Sequence, residues 1–419
     1  MKRRVVELLC CPACRGALAS TAFHETRRPV AIAPRGPACG ERCELRGVPL
    51  VGEPVPPDGE ECRACYAREV EEGILACRDC GSLYPIIDAV PRLVRDAEQE
   101  YRAFFERNRA AILKAIGHLP AARPPRRKDS KVFDPRSNES FGLQWTNQSE
   151  QDKTWFKDDS SLRRDEFLYS LAVSQEEVRG ALILDAGCGN GRLTASLASF
   201  EAEVVGIDLS VGINRAEAGK GRYAGERTHL VHFIQGNVME LPVRPGSFDI
   251  IHSSGVLHHT PSTERAFSSF LSAVRPGGRV YVQLYRRREA WVGVPNALLR
   301  SVTSRLPPRL LYALCRQAVP VHTALVLLVA RLRGEHSPIG SATRGERALS
   351  LFDNFSPRYQ YRYEPGEMRR MFEAAGLAEI RETTLANEAR HMVAFAARKP
   401  GIVRSATVGS HTEADSLSR

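Results

Sequence analysis

The sequence predicts an α/β protein in which a doubly wound, mostly parallel sheet follows a small cysteine-rich domain. Three observations predict this fold class. From residue 182 onward short apolar runs alternate with helix-like stretches, nine of the 11 cysteines lie before residue 81, and an apolar, arginine-rich stretch interrupts the alternation near its end. Strands and helices alternating at this spacing are typical of a parallel sheet with helices on both faces.

Changes in composition divide the 419 residues into four parts. We expect a zinc-ribbon-like domain over 1–93, a helix and a basic, proline-rich linker over 94–131, and a disordered tail over 400–419. Between them, the sheet domain covers 132–399 and carries a helical insertion at about 286–350. The linker is expected to separate two independent cores.

The hydropathy and charge of the chain indicate its cellular location and its partners. The N-terminus lacks the apolar core of a signal peptide, and the longest apolar run, 318–330, is too short to span a bilayer. We therefore expect a cytoplasmic protein without a transmembrane segment. The net charge of +10 would suit a nucleic-acid partner. No segment interleaves basic and aromatic residues as single-strand binders do, so nucleic acid is the less favoured partner.

Seven apolar runs are predicted to be the strands of a seven-stranded sheet. They are 182–185, 204–208, 232–235, 248–253, 279–284, 379–385 and 392–397. No long helix separates the last two runs, so the last strand is expected to run antiparallel.

The strongest local signal is the stretch from Asp185 to Gly191, in which three glycines follow the first predicted strand. Glycines let the chain turn sharply and bring a ligand against bare backbone, and the next helix points its N-terminus at the same place. The second strand ends in Asp208, where this fold places an acid on ribose hydroxyls. An acid ahead of the glycines would repel a pyrophosphate, which favours a zwitterionic or cationic ligand over a dinucleotide.

Five ordered segments together resemble the class I S-adenosylmethionine-dependent methyltransferases, especially the type 11 subgroup, over about residues 141–398. The segments are 184–191, 206–208, 236–242, 248–259 and 275–279. The resemblance implies a Rossmann-like sheet and S-adenosyl-L-methionine as the cofactor. The cofactor-binding residues that it implies are Asp185, Gly187, Gly189, Asn190, Gly191, Asp208, Leu209, Asn237, Val238 and Ser253.

Each implied residue has an expected place. Gly187 and Gly189 should line the methionine part, with Ser253 nearby, and Asp208 should bind the ribose. Asn237 and Val238 should flank the adenine. The family usually has Asp at the position of Asn237, but an asparagine carbonyl can also accept a hydrogen bond from the adenine amino group.

Three residues after the fourth and fifth predicted strands are candidates for acid–base chemistry, namely His258, His259 and Tyr285. Methyl transfer from a sulfonium is an in-line displacement, in which the protein mainly positions the reactants. Only some acceptors also need a base. The alternative is that one of the histidines packs structurally. Cys188, inside the glycine loop, is interpreted as a small residue that fits there and not as a nucleophile.

The front of the chain has two C-x-x-C pairs, Cys11 with Cys14 and Cys77 with Cys80. Four thiolates suit a tetrahedral zinc ion and leave no open position for chemistry, so this zinc would be structural. The flanking sequence resembles the small zinc-ribbon domain that serves as a methyltransferase activator, either as a separate subunit or fused. That resemblance covers residues 5 to about 94, with an insertion.

The insertion in the front domain holds four more cysteines, Cys39, Cys43, Cys62 and Cys65. Their spacing could form a second zinc site. The alternative is that these thiols are free or share the first site, so we expect one or two zinc ions.

The stretch 294–333 is apolar with regular arginines and predicts two or three amphipathic helices. Three roles are open: a lid over an apolar acceptor, a peripheral contact with a membrane surface, or a helical pair packed on the sheet or in a dimer interface. The segment 352–360, which follows, resembles one that borders the acceptor pocket in the type 11 subgroup.

Three functions compete. The leading hypothesis is a methyltransferase for a small-molecule or lipid-like acceptor. The second is a methyltransferase acting on tRNA, rRNA or protein, and the third is a non-catalytic scaffold that binds S-adenosylmethionine or a protein.

Overall fold

The structure is a computed structural model that describes most of the chain. The described residues are 1–28, 30, 42–43, 48–49, 59–117, 134–148, 160–332, 334 and 342–401. The basic linker at 120–131, the position of Cys39 and the tail from 402 lie outside these ranges.

The described residues form thirteen strands. They are β1 (Leu18–Arg27), β2 (Arg42–Cys43), β3 (Val48–Pro49), β4 (Arg68–Cys77), β5 (Leu83–Ile87), β6 (Val90–Leu93), β7 (Leu182–Ala186), β8 (Glu203–Asp208), β9 (Val231–Gly236), β10 (Phe248–Ser254), β11 (Val274–Tyr285), β12 (Ala378–Glu382) and β13 (Met392–Arg398).

The helices begin and end at the following residues. They are α1 (Gly59–Ala67), α2 (Ala97–Glu100), α3 (Arg102–Arg107), α4 (Arg109–Ile116), α5 (Pro135–Asn147), α6 (Ser160–Leu171), α7 (Gln175–Val178), α8 (Arg192–Leu197), α9 (Gly212–Ala224), α10 (Thr263–Ala273), α11 (Ala290–Thr303), α12 (Pro308–Leu332), α13 (Arg344–Phe355) and α14 (Pro365–Ala374). Short 3-10 helices cover Arg3–Leu8, Ala198–Phe200, Gly225–Leu230, Val238–Glu240 and Leu257–His259.

Eleven strands form one continuous sheet in the order β1-β4-β5-β6-β9-β8-β7-β10-β11-β13-β12. Neighbours are parallel from β6 to β11 and antiparallel towards both edges. The expected seven-stranded, mostly parallel sheet is therefore corrected to a mixed sheet of eleven strands. The seven predicted strands are its part β7–β13, and the predicted antiparallel last strand is confirmed by the pairing of β13 with β11.

The front domain supplies the other four strands. Its last strand, β6, lies parallel to β9, with Arg92 opposite Gln235 and Leu93 opposite Gly236. A single cluster of buried side chains contains residues of both parts, among them Leu9 and Ile207. The expectation of two separate cores is therefore wrong, because one sheet and one core run through both parts.

Polar contacts also join the front domain to the sheet. The Arg4 guanidinium lies 2.9 Å from the Glu203 carboxylate, with both side chains largely buried. The Lys220 ammonium lies 3.5 Å from the Glu69 carboxylate and 2.5 Å from that of Glu217. Buried charges are tolerated only when they are paired in this way, so these pairs fix how the two parts meet.

The helix predicted near residue 94 is three short helices, α2, α3 and α4, interrupted at Tyr101 and Asn108. Phe104 and Ile112 are buried and pack on strands of the front domain, and Ala97 of α2 is buried as well. The chain then ends the last helix at Gly117, which has a left-handed φ of 75°.

The insertion after β11 consists of α11 and α12, which agrees with the predicted amphipathic helices. α12 has 25 residues and continues through Pro320, so it is longer than the apolar run at 318–330. Among the described helices it is the one whose length and composition would allow it to cross a membrane, and 17% of its most apolar window is buried. Length and composition alone do not make it a membrane span.

Candidate functional site

A cavity of about 1000 Å³ lies at the carboxyl ends of the parallel strands. Its wall contains residues that follow β7, β8 and β9 on one side and β10 and β11 on the other. The chain leaves β7 towards β8 and later returns to place β10 on its other edge. Ligands of doubly wound folds bind at such a switch point.

The glycine loop after β7 is shaped by close contacts. Gly187 has φ of 84°, and its amide donates to the Ile207 carbonyl at 2.7 Å. A Cβ atom at Gly189, where φ is 56°, would lie 2.6 Å from the Trp145 ring of α5. Only glycine tolerates both the conformation and this approach, so the loop is held tightly beneath α5.

Two carboxylates stand in the wall beside this loop. Asp208 accepts a hydrogen bond from the Gly189 amide at 2.9 Å with one oxygen. Its other oxygen accepts from the Ser210 amide at 2.8 Å and from the Ser210 hydroxyl at 2.7 Å. Asp185 accepts from the Thr194 hydroxyl at 2.6 Å. Burial raises the pKa of Asp208, and the charge of Asp185 adds to this, while the hydrogen bonds oppose it.

The next strand end provides a narrower, more apolar wall. The Asn237 carbonyl oxygen accepts from the Met239 amide at 2.9 Å and begins the 3-10 turn Val238–Glu240. Leu209, Val238 and Met239 line the cavity beside it. Apolar side chains with a few placed polar groups suit a heterocyclic base, and carboxylates suit ribose hydroxyls and a cationic group, so the wall fits S-adenosylmethionine.

Most of the sequence-predicted site residues meet at this cavity. Those that line it are Asp185, Gly187, Asn190, Asp208, Leu209, Asn237, Val238, His259 and Tyr285. Gly189 and Gly191 shape the loop without lining the cavity. Ser253 is fully buried and donates its hydroxyl to the Ala186 carbonyl at 2.8 Å, whereas the neighbouring Ser254 lines the cavity.

The two histidines differ in their surroundings. His258 does not line the cavity, is fully buried, and neither ring nitrogen has a hydrogen-bond partner in the part of the chain that the structure describes. Burial lowers its pKa well below the usual value, which favours the structural role. His259 does line the cavity, and its Nδ1 lies 2.9 Å from the Tyr359 carbonyl. A carbonyl only accepts, so Nδ1 carries the proton and Nε2 keeps a lone pair. Burial lowers the pKa of His259 to about 3.

Tyr285 leads to a group that the sequence analysis missed. Its hydroxyl donates to the Asp353 carboxylate at 2.7 Å, and both residues line the cavity. Burial raises the pKa of Asp353 to about 6, against the opposing effect of hydrogen bonds from Tyr285 and Gln144. Asp353 lies in the segment 352–360, whose resemblance to a pocket border in the type 11 subgroup is the sequence feature that points to it.

The wall at this end of the cavity also holds cationic and apolar side chains that no motif indicated. Arg288 and Arg362 line it, and the Arg362 guanidinium lies 5.0 Å from the centre of the Tyr285 ring. α5 closes the cavity with Phe141 and Trp145, and α12 contributes His322. These residues come from elements far apart in the chain, so their proximity is a property of the fold.

The front cysteines form a compact cluster. The Sγ atoms of Cys11, Cys14, Cys77 and Cys80 all lie within 4.8 Å of one another. Cys11 lies 3.7 Å from Cys80, and Cys14 lies 3.5 Å from Cys77. Four sulfurs at about 2.3 Å from a tetrahedral zinc are about 3.8 Å apart, so the cluster fits a structural zinc ion. The Tyr84 hydroxyl lies 3.0 Å from the Cys11 sulfur and can donate to a thiolate.

The two cysteine pairs meet at Gly16. A Cβ atom there would lie 2.2 Å from the carboxylate of the exposed Asp79, so a larger residue would require that side chain to move. The second cysteine set is less complete, because Cys39 lies outside the described residues. The side chains of Cys43, Cys62 and Cys65 are buried. Burial is the main cause that raises the pKa of Cys65 to about 11, and the neighbouring thiols of Cys43 and Cys62 add to it. A second zinc site stays a prediction.

Comparison with known proteins finds a family match in each of the two parts of the chain. Residues 184–282 match the family model described as a methyltransferase domain, and residues 2–88 match that of Trm112p-like proteins. A demethylmenaquinone methyltransferase of Lactococcus lactis is 34% identical over 25% of this chain and 42% of its own length. A ubiquinone biosynthesis O-methyltransferase of Xanthomonas euvesicatoria is 30% identical over 27% of this chain and 47% of its own length.

These matches cover less than half of each relative's own length. Among solved structures, a 1,6-didemethyltoxoflavin-N1-methyltransferase of Burkholderia thailandensis is 16% identical to this chain, with a TM-score of 0.37. The match covers 68% of this chain and 98% of that structure. The glycine loop, the acids after β7 and β8 and the front cysteine cluster thus lie within two recognised domains. The chain carries a segment similar to methyltransferase domains, preceded by a segment similar to Trm112p-like proteins.

Proposed function

We propose that the protein transfers a methyl group from S-adenosylmethionine to a hydroxyl of a small or lipid-like, largely apolar acceptor. One observation carries the proposal. A single cavity joins the wall of Asp185, Asp208 and Asn237 to a second wall containing the Tyr285–Asp353 pair. Both reactants can therefore lie side by side in one cavity, which is what an in-line displacement requires.

The contacts of these residues support the following roles in cofactor binding. Asp208 is held by the Gly189 amide and by Ser210, so its carboxylate is fixed for ribose hydroxyls. Asp185 provides negative charge beside the glycine loop, where the amino group of the methionine part would lie. Asn237 and Val238 would flank the adenine. When bound, the cofactor supplies a methyl carbon activated by its sulfonium.

The Tyr285–Asp353 pair is proposed to take the proton of the acceptor. The Tyr285 oxygen would accept the proton that the acceptor hydroxyl loses on methylation. The Tyr285 proton moves at the same time to Asp353, to which the phenol already donates. His259, with a lone pair on Nε2, would accept a hydrogen bond from the acceptor and orient it.

The apolar part of the second wall supports an acceptor that is largely apolar. Leu351, Phe355, Leu385 and Met392 line the cavity. The relatives named above include quinone-pathway methyltransferases, and their shared domain with this chain supports the same acceptor class. The Trm112p-like domain is proposed to stabilise the methyltransferase domain within the same chain, since β6 extends its sheet.

A labelling experiment tests the acceptor class. The protein is incubated with methyl-labelled S-adenosylmethionine and a cell extract, and the label is measured in solvent-extractable, RNA and protein fractions. We expect label in the solvent-extractable fraction, and loss of that label with Asp208→Ala. Label confined to RNA or protein would replace this proposal with the macromolecular alternative, and no label in any fraction would favour a non-catalytic scaffold.

A further inference from the structure

The insertion helix α12 carries two separate apolar stripes. One stripe packs on α13: Leu311, Cys315 and Val319 are buried at four-residue spacing against Ala348, Leu351 and Phe352, and Thr323, the next position at this spacing, is also buried. The second stripe faces away from the protein. It consists of Leu310, Leu314, Val321, Leu325, Leu328 and Leu332, each between 49% and 78% exposed. At about 100° per residue, these six positions fall within about 60° of the helix circumference.

Packing in the protein core therefore does not account for the apolar side chains of the second stripe, because they are exposed. A run of large side chains this exposed is unusual on a soluble surface and marks an interaction site. α11 shows the same feature on a smaller scale, because Val294, Leu298 and Val302 follow four-residue spacing and are 57%, 67% and 60% exposed.

The positive charge of the insertion favours an anionic partner for the exposed stripe. From residue 290 to 332 the sequence has no Asp or Glu and five arginines. Arg309, Arg316 and Arg331 of α12 are exposed, and none of them pairs with a carboxylate in the part of the chain that the structure describes. On the helix circumference they lie on one flank of α12, between the exposed stripe and the face that packs on α13. Arginine beside an apolar stripe is the pattern of a helix lying in the interface of an anionic bilayer.

We propose that α12, together with α11, docks on an anionic lipid surface, with the exposed stripe in the acyl region and the arginines at the phosphates. A second copy of this surface would place arginine against arginine, because no acid is available to complement it. Anionic lipid headgroups supply the missing charge. This proposal is independent of the proposed function, since binding to lipid requires neither cofactor nor acceptor.

Packing also argues against a membrane span. α12 packs against α13 through Val319 and is buried on the same face as far as Thr323, so only residues 324–332 extend beyond its buried face. Nine residues of helix measure about 14 Å, about half of a hydrocarbon core of roughly 30 Å. The free end can enter one leaflet but cannot cross both. Because His322 lines the cavity, the docked helix would also form a wall of the acceptor site.

Vesicle co-sedimentation of the full chain tests the proposal. Vesicles of phosphatidylcholine alone are compared with vesicles of phosphatidylcholine and phosphatidylglycerol at roughly three to one. We expect binding to the anionic vesicles that weakens with added salt. Leu325→Ser/Leu328→Ser should weaken it about tenfold or more, while the melting temperature stays unchanged because both side chains are exposed. Arg309→Gln/Arg316→Gln should reduce the preference for anionic vesicles.

A matched control separates this surface from general hydrophobicity. Leu113→Ser/Tyr169→Ser changes two exposed residues outside the insertion, 40% and 58% exposed, and should leave vesicle binding intact. Failure of the parent protein to bind anionic vesicles, or equal binding by Leu325→Ser/Leu328→Ser, overturns the proposal. Self-association that this variant abolishes, without vesicle binding, would assign the stripe to a second copy instead. Resistance to alkaline carbonate extraction would indicate a membrane span and contradict a surface-docked helix.

Discussion

Asp353 gives the acceptor end of the cavity a defined dependence on pH. Its carboxyl must be ionised to take the proton that Tyr285 passes on, and burial raises its pKa to about 6. We therefore expect kcat/KM to fall about tenfold per pH unit below that pKa and to level off above it. Asp353→Asn should lower kcat by about a hundredfold or more and remove the inflection.

The measurement is the pH profile of kcat/KM for the parent and for Asp353→Asn. Tyr285→Phe is the companion variant, because it keeps the ring and removes the relay. An inflection near pH 6 that survives in Asp353→Asn would assign the titration to another group.

Individual residues at strand ends were predictable to within about one position. Asp208 and Asn237 were assigned from the strands that precede them, and both line the cavity. Ser253 was expected near the cofactor, but Ser254 lines the cavity, because successive side chains on a strand point in opposite directions. Asp353 could not be assigned in this way, since it reaches Tyr285 from a helix 68 residues later in the chain.

At the scale of elements, the four-cysteine cluster ties the turn before β1 to the turn between β4 and β5. Because the front domain shares its core with the sheet, loss of zinc should destabilise the whole chain. We expect purified protein to contain zinc, and Cys11→Ser to lower the stability of a single unfolding transition by on the order of several kcal/mol.

Metal analysis and calorimetry of the same samples test this. Cys10→Ser is the control, because Cys10 lies outside the cluster and its thiol donates to the Val243 carbonyl, which a hydroxyl can also do. Zinc-free protein from a chelator-free purification would contradict the metal site. A second transition untouched by Cys11→Ser would contradict the shared core.

Helices and strands were predicted where periodicity is strong, and their ends were less accurate. The predicted strands from residue 182 correspond to β7–β13. The predicted helix near residue 94 is divided because Tyr101 and Asn108 leave helical geometry. α12 is longer than the apolar run at 318–330 because its packing on α13 stabilises the helix on both sides of Pro320. A proline at this position would break an isolated helix.

At the scale of the whole molecule, the buried Arg4–Glu203 pair connects the two parts of the chain. Burial would raise the pKa of Glu203, but Arg4 and a hydrogen bond from His232 outweigh this and lower it to about 2. The resulting stability is present above the unfolded pKa near 4.5 and is lost as the pH falls through about 2.

We expect Glu203→Gln to cost about 3–5 kcal/mol at neutral pH, because it leaves the buried Arg4 charge without its closest carboxylate. Urea unfolding measures this. Glu106→Gln, in the exposed Arg102–Glu106 pair, should change stability by less than about 1 kcal/mol. Equal effects of the two substitutions would mean that Arg4–Glu203 contributes no more than a surface pair.

The joining of the two parts into one sheet was not predictable from the sequence. Val90–Leu93 indicates a short strand, but nothing in those residues specifies β9 as the partner. The pairing spans some 140 positions of the chain and depends on tertiary packing. The sequence therefore predicted two domains, while the structure joins them through a strand pair and a common core.

Calorimetric titration with S-adenosylmethionine tests the central claim most directly. We expect the parent chain to bind one equivalent, and Asp208→Ala to lose about 1.5–3 kcal/mol of binding free energy, because ribose hydroxyls lose a charged acceptor. The melting curve of the variant confirms that it is folded. Unchanged affinity in folded Asp208→Ala, or tighter binding of NAD than of S-adenosylmethionine, would contradict the account.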